Sequence, residues 1–228
     1  MKNKYDLIIT GSLGKIGSEI SNFFETRGKK VAKLDLNLGH DLSDESFVKE
    51  WFSNNYSKSL INCFAINDHI NSSSITGNFR DISLAEVTNY FHVNVISLFS
   101  VCREYIINQN EGRIVNLSSI YSIVSPRTDI YGYSEKSIAY GMTKAAVNQM
   151  SRHLATHSAP NFSVNSLILG GIENNHSLEF VQLYNEQVPM KRMANVNDFV
   201  GLIDYLCFGE SNYLTGSEII VDGGWTSW

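Results

Sequence analysis

Short apolar runs alternate with amphipathic stretches along the whole chain, and this alternation restricts the fold before any single residue is weighed. Leu7-Ile8-Ile9 ends at Thr10-Gly11, after which Ile16, Ile20, Phe23 and Phe24 recur at spacings of three and four. That is the pattern of a strand, a glycine turn and a helix with one buried face. Further strands are expected at 31–34, 60–64, 113–117, 164–168 and 218–221, and helices at 43–52, 84–108, 138–157 and 196–208. Apolar runs separated by helices mark parallel strands buried on both faces. The expected fold is α/β: a doubly wound, about seven-stranded parallel sheet with helices on both faces, whose ligands sit beyond the carboxyl ends of the strands.

The chain has 228 residues, enough to bury roughly 70% of its unfolded surface around one core and too few for a second full domain. One domain over 1–228 is expected. The net charge is −5, and the 18 Lys and Arg residues are scattered, which argues against nucleic acid or an anionic membrane as partner. A small-molecule substrate is expected instead. Cys63, Cys102 and Cys207 are far apart and form no CxxC pair, so neither a disulfide framework nor a thiolate zinc site is suggested, and a reducing cytoplasm suits the chain. No apolar run is long enough for a membrane span or a secretion signal. His153 and His157 stand four apart but have no third ligand nearby, so they read as a solvated helix face and no metal is expected. Three stretches exceed the short loops of such a fold: 68–80, 121–137 and 170–193. Long loops at a ligand edge carry function or move, and the third is expected to be a substrate lid and the least ordered part.

The turn after the first strand is Gly11-Ser12-Leu13-Gly14-Lys15-Ile16-Gly17. Glycines there allow a tight turn, close backbone approach to a pyrophosphate, and close packing of helix on strand, while the helix start offers N–H groups to the anion. Asp35 lies eighteen residues beyond Gly17 at the end of the second strand, where a carboxylate accepts hydrogen bonds from ribose hydroxyls and repels a 2′-phosphate. NAD(H) is therefore favoured, with NADP(H) left possible by Lys15. On the adenosine side, Leu36 follows Asp35, and Asp41 with Leu42 follows shortly after. Asp41 is equally readable as an adenine contact or a helix cap.

Tyr140 and Lys144 stand four apart at a helix start, hence on one face. A nearby cation is expected to lower the phenol pKa, so that Tyr140 can act as acid and base. The buried strand at 113–117 runs into Ser118 and Ser119 at the ligand edge. Ser119 is the candidate to hydrogen-bond a substrate carbonyl, with Ser118 and Ser122 as rivals. Asn94 sits in an apolar helix, where an amide needs partners, and a relay water is one such partner.

These motifs together resemble the single-domain short-chain dehydrogenases/reductases over essentially the whole length. The features that match are the glycine loop, Asp35, Asn94, Ile114 to Ser119, Tyr140-x-x-x-Lys144, Val164-Asn165, Gly170-Gly171 and the terminal Val221-Asp222-Gly223-Gly224-Trp225. The resemblance implies a Rossmann fold, a homo-oligomer (tetramer or dimer), catalysis by Asn94, Ser119, Tyr140 and Lys144, and cofactor contacts from Asn62, Ala65, Gly170, Gly171 and Ile172 in addition to those above. In such an enzyme Tyr140 exchanges the proton, Ser119 polarises the carbonyl, and Lys144 tunes the tyrosine and holds the nicotinamide ribose.

Several positions depart from the family pattern. Single-domain members usually carry Gly-x-x-x-Gly-x-Gly, whereas here the spacing is Gly-x-x-Gly-x-x-Gly. The usual Asn-Asn-Ala-Gly appears as Asn62-Cys63-Phe64-Ala65, and Gly170 replaces a proline. Glu173, Asn174 and Asn175 stand where a threonine usually meets the nicotinamide amide, leaving that contact to the Ile172 backbone or an Asn. Twenty-one residues separate Ser119 from Tyr140, more than in typical members, so 121–137 contains an insertion. Being polar and Tyr-rich, with Tyr121, Tyr131 and Tyr133, it suits a hydroxylated substrate. By resemblance, similar inserts occur in bacterial oxidoreductases of carbohydrate biosynthesis acting on sialic-acid-like sugars. Two other readings stand beside an oxidoreductase: a catalytically impaired nucleotide-binding sensor or scaffold, and an epimerase or dehydratase that recycles its cofactor.

Overall fold

The computed structural model describes residues 2–67, 79–131, 135–210 and 212–228. Its sheet is built from β1 (Asn3–Thr10), β2 (Val31–Leu34), β3 (Asn55–Asn62), β4 (Gly112–Ser119), β5 (Phe162–Leu169) and β6 (Glu218–Val221). The spatial order is β2-β1-β3-β4-β5-β6 and every pairing is parallel. The chain steps from β1 to β2 on one side and then returns to lay β3 on the other side of β1. The crevice opened by that reversal, beyond the strand ends at Thr10 and Asn62, is where doubly wound sheets bind ligands.

Side-chain alternation in the strands feeds two cores. Ile8, Leu60, Ile114 and Val164 face α2 (Glu45–Asn54), α4 (Leu98–Asn108) and α5 (Ile138–Ser158), packing against Phe52, Val101, Tyr105 and Val147. Leu7, Ile9, Ile61, Val115 and Leu167 face the opposite way, onto Ile20 and Phe24 of α1 (Lys15–Thr26) and Ile203 and Leu206 of α7 (Val200–Phe208). Each such fully buried side chain is worth about 1.5–3 kcal/mol.

Among the described residues, six strands stand where about seven were expected. Only Asp35 to Asp44 joins β2 to α2, and it is spent on a 3-10 turn (Leu36–Leu38), a left-handed Gly39 and the helix cap. No chain remains for a further helix and strand, so the four-residue β2 is itself an edge. The expected helix over 84–108 is one rod with an inserted π-turn: α3 (Leu84–Phe91), His92–Ser97, then α4. The helix expected at 196–208 begins as a 3-10 turn (Val196–Asp198) before α7.

The stretch 170–193 is not all loop. The segment contains α6 (Leu178–Gln187), whose Ser177 side chain caps the Phe180 N–H. Tyr184, Val188 and Met193 are buried in a third cluster with Ile120, Ile130 and Trp225. Part of the insertion, through Ile130 and Tyr131, thus packs against α6 and the chain's end rather than standing free. Of the long loop at 68–80, residues 68–78 lie outside the described residues.

Candidate active site

The glycine loop is shaped by two close approaches. Gly11 has φ +64°, and a Cβ there would lie 2.6 Å from the Phe64 nitrogen. A Cβ on Gly17 would lie 2.1 Å from the Gly11 oxygen, so the first turn of α1 can seat against the loop only with glycine at that position. Gly14 is the N-cap of α1 and supplies no side-chain acceptor. The N–H groups of Lys15, Ile16 and Gly17 open the helix without intrahelical acceptors. Beside them the Ser12 hydroxyl is buried with no hydrogen-bond partner. An uncapped helix start whose Gly14, Lys15, Ile16 and Gly17 line the cleft fits a phosphate-bearing nucleotide.

Asp35 closes the loop from below. One of its carboxylate oxygens accepts from the Leu13 N–H at 2.9 Å and the other from the Asn37 N–H at 3.0 Å. Lys15 is paired with Glu19 at 2.8 Å, one turn along its own helix. Asp41 accepts from the Ser43 N–H and hydroxyl, which hold its carboxyl below the usual range, and α2 is capped by Asp44 instead. Leu36 is exposed, whereas the Leu42 side chain belongs to the core, which leaves Leu42 only its backbone for a ligand.

Asn62 faces inward. Its amide accepts from the Thr10 hydroxyl at 2.9 Å and donates to Asn116 at 2.8 Å, and Asn116 donates in turn to Ser151 at 2.9 Å. The neighbouring Cys63 and Ala65, not Asn62, line the cleft with Gly11, Gly14 and Gly17. Burial pushes the Cys63 thiol up to about 12.

The π-turn aims Asn94 at the same crevice. Its carbonyl accepts from the Ile66 N–H at 2.7 Å, and its amide donates to the Ile66 carbonyl at 3.0 Å and the Thr143 hydroxyl at 3.1 Å. Asn94 therefore fastens the loop after β3 to α5. An inserted π-turn is a recurrent device at functional sites, and nothing in the local hydrophobic period announces it.

The reacting set converges from β4 and α5. Ser119 and Tyr140 both line the cleft, and the nearby Ser119 hydroxyl works against the effect of burial on the phenol. The rival serines are engaged elsewhere: the Ser118 hydroxyl donates to the Lys144 carbonyl, and that of Ser122 to the Ser119 carbonyl while accepting from Asn148. Lys144 donates from Nζ to the Leu117 carbonyl at 2.9 Å and lies 5.7 Å from the Tyr140 ring centre. The expected lowering of the tyrosine pKa is corrected here. Burial pushes Tyr140 up to about 12 and Lys144 down to about 8, because at that separation desolvation outweighs the attraction between ammonium and phenolate.

Gly170, Gly171 and Ile172 form the opposite wall, and the Gly171 N–H donates to the Tyr184 hydroxyl at 2.6 Å. Ile172 bridges to Ala194, while Asn174 lines the cleft, making it the amide side chain placed to meet a ligand. The substrate side is closed by Tyr121, Tyr131, His176 and Phe180. Tyr121 and Tyr131 bond through their hydroxyls, and Tyr131 lies 5.4 Å from the Phe180 ring. Sequence reasoning missed Lys136, Asn67, His176 and Phe180 in this wall. The Lys136 ammonium bonds the Asn67 amide oxygen and stands 4.7 Å from the Tyr140 ring centre, a contact across 69 residues that no local spacing could signal.

Comparison with known proteins places this geometry. A family described as enoyl-(acyl carrier protein) reductase matches residues 18–226. The chain is 31% identical over 232 residues to the 3-oxoacyl-(acyl-carrier-protein) reductase of Aquifex aeolicus, covering 96% of this chain and 86% of that one. It is 27% identical over 256 residues to the post-translational flagellin modification protein A of Campylobacter coli, covering 99% of each. A short-chain dehydrogenase of Leptospira borgpetersenii, solved with bound NAD+, superposes with a TM-score of 0.85 at 28% identity, covering 99% of this chain and 94% of that one.

Proposed function

We infer the reaction from one premise: this chain belongs to the short-chain dehydrogenase/reductase superfamily and is an NAD(P)-dependent oxidoreductase. The finer reading proposed here is hydride transfer between NAD(H) and an alcohol or carbonyl group of a small, polar, sugar-like substrate. The observation that carries it is that Ser119, Tyr140 and Lys144 line one cleft together with the uncapped start of α1.

The nicotinamide, when bound, supplies or accepts the hydride. This chain's residues handle the proton. In reduction the Tyr140 phenol gives its proton to the substrate oxygen as negative charge develops there, and in oxidation it takes the proton back. A phenol with its pKa near 12 is an acid that stays protonated until the substrate oxygen needs it. Ser119 donates a hydrogen bond to that same oxygen, and Lys144, fixed on Leu117, keeps a positive charge behind both. Positioned acid–base groups of this kind contribute about 10²–10⁴-fold. Asn94 holds the Ile66 backbone and so positions the loop that carries Ala65 and Asn67.

NAD(H) is preferred in this reading because Asp35 ends β2 as a buried carboxylate and the nearest loop cation, Lys15, is tied to Glu19. A sugar-like substrate is preferred because the wall opposite Tyr140 offers Tyr hydroxyls, Asn67, Asn174 and His176, where an acyl chain would want continuous apolar surface. A single catalytic unit over 1–228, a cytoplasmic location and a homo-oligomer complete the reading. For the last, Ile96, Phe99 and Ile107 are exposed on one helical rod, as a partner copy would require.

The test is fluorescence titration with NADH and NADPH, followed by assay of hydride transfer to sugars, polyols and an acetoacetyl thioester. Tighter NADH binding and turnover of hydroxylated substrates are expected. NADPH preference would remove the Asp35 argument, and thioester turnover alone would remove the sugar argument. Conversion of a sugar to its epimer without net NADH change would make the recycling reaction the true one, and binding without any turnover would leave a sensor.

A further inference from the structure

Two phenols share one hydrogen bond in the substrate wall. Tyr121 follows Ser119 by two residues, and its N–H donates to the Ser119 hydroxyl oxygen at 3.2 Å. Its carbonyl presses on the first turn of α5, where a Cβ on Gly141 would lie 3.0 Å away. The Tyr121 ring packs into the same apolar cluster as Tyr140. Tyr131 comes from the insertion, next to the buried Ile130, and packs on the cluster that holds Tyr184 and Trp225. The two rings, with centres 6.5 Å apart, meet through their hydroxyls, and both residues line the cleft.

One bond between two hydroxyls uses one of their two protons. Among the described residues each of these oxygens has the other as its hydrogen-bond partner and no third group. One O–H and the spare lone pairs are therefore left for whatever enters the cleft. Burial pushes Tyr131 up to about 12 and raises Tyr121 as well, so both phenols stay protonated. A carboxylate would use only the free proton, and an ammonium only the lone pairs. A hydroxyl uses both, accepting from one phenol while donating to the other. Beside this polar edge, the Phe180 ring lies 5.4 Å from that of Tyr131 and gives the cleft an apolar face. A sugar ring, with C–H bonds on its faces and hydroxyls on its rim, complements both.

Location selects which hydroxyl is met. In the reading above Ser119 and Tyr140 hold the reacting oxygen, and Tyr121 is joined to both, to Ser119 through its N–H and to Tyr140 through ring packing. A hydroxyl bound by the phenol pair then belongs to a carbon beside the reacting one, not to the far end of the molecule.

We propose that Tyr121 and Tyr131 form a specificity-determining hydroxyl subsite, and that the substrate is a cyclic vicinal diol or the matching α-hydroxy ketone, bound by the hydroxyl next to its reacting carbon. This rests on the sugar-like reading above and deepens it.

The experiment measures NADH formation and calorimetric binding to the protein–NAD+ complex for matched compounds with and without that hydroxyl. These are cis- and trans-1,2-cyclohexanediol against cyclohexanol, and glucose and galactose against their 2-deoxy forms. Wild type, Tyr121→Phe, Tyr131→Phe and the double variant are compared. At least one hydroxylated compound is expected to exceed its deoxy partner about 10–100-fold in affinity and in kcat/KM, the range for an analogue that leaves a hydrogen-bonding site unpaired. The ratio should shrink in each single variant and vanish in the double variant, with NAD+ affinity kept, which also certifies folding. Equal binding of every hydroxylated compound and its deoxy partner, no binding of any of them, or a ratio unchanged in the double variant or in both single variants overturns the subsite. Hydride transfer from the sugars with no preference over their deoxy forms would overturn the subsite and leave the sugar reading standing. A tyrosine-dependent preference in binding with no hydride transfer from any of the compounds would do the reverse.

Discussion

Asp35 Oδ2 accepts a hydrogen bond from the backbone N–H of Leu13 at 2.9 Å, so the carboxylate at the end of β2 is also the clasp of the glycine loop. Its other oxygen holds Asn37 at 3.0 Å. The residue proposed to discriminate between nucleotides therefore also holds the glycine loop in shape. Removing it should do two separable things. Asp35→Ala is expected to shift the NADH/NADPH affinity ratio towards NADPH, because the carboxylate that repels a 2′-phosphate is gone. It should also lower stability by about 1–3 kcal/mol, as the Leu13 and Asn37 donors lose their acceptor. Parallel titrations and thermal melts check both, and a variant with lower stability but an unchanged ratio would reduce Asp35 to a loop clasp.

Tyr140→Phe keeps the ring and its place beside Lys136 while deleting the hydroxyl. Turnover is expected to fall by about 10²–10⁴-fold, with NADH affinity held within a factor of a few. Ser119→Ala should act in the same direction through the same oxygen. Steady-state kinetics beside a binding titration separates the two effects, and a Phe variant with ordinary turnover would move the proton-transfer role elsewhere.

Lys144 links stability to pH in an unusual direction. Burial lowers its pKa from 10.5 to about 8, so the unfolded chain holds a proton that the folded protein releases between those values. The unfolded state binds more protons in that window, and stability from this group rises with pH across it. At neutral pH the buried charge costs roughly 3 kcal/mol. Lys144→Met is expected to be inactive yet stabilised relative to wild type at pH 7, with the gap closing from pH 8 upward. Thermal melts across that range check it, and a gap independent of pH would show that the ammonium is better solvated than its surroundings imply.

The parts of this protein legible in its sequence are those that local spacing encodes. Leu7-Ile8-Ile9 splits its side chains between two cores because period two allows nothing else, and Gly11, Gly14 and Gly17 announce a backbone that must pass close to itself. Tyr140 and Lys144 share a face because they stand four apart. The apolar runs at 7–9, 31–34, 60–64, 113–117, 164–168 and 218–221 correspond one to one with the six strands of the sheet, and the seventh strand of the expected total had no apolar run of its own. The helix α6 also has a local signal, with Ser177 as cap and Val181, Tyr184 and Val188 at helical spacing. Lys136 over Tyr140 and Cys63 beside the glycine loop were illegible for another reason. They arise from the stacking of distant segments at one sheet edge, and no spacing in the chain records such contacts.

The polar ladder under the crevice gives the sharpest separation of structure from ligand binding. The Thr10 hydroxyl donates to Asn62, Asn62 to Asn116, Asn116 to Ser151, and Ser151 to the Val147 carbonyl at 2.8 Å. It ties β1, β3, β4 and α5 together through buried groups. Asn62→Ala would leave the Thr10 hydroxyl only the Ile61 carbonyl at 3.4 Å and the Asn116 carbonyl only the Cys102 thiol at 3.7 Å, two weaker contacts in place of the shorter ones, at a cost of about 1–3 kcal/mol. Because the Asn62 amide is consumed inside the ladder while Cys63 and Ala65 line the cleft, stability should fall sharply while NADH affinity, measured well below the melting temperature, stays close to wild type. Asn62→Ala combined with Asn116→Ala should then cost less than the sum of the two single changes, since the Asn62–Asn116 bond is lost only once. An Asn62→Ala protein with ordinary stability and weakened NADH binding would reverse the assignment and place that amide against the nucleotide.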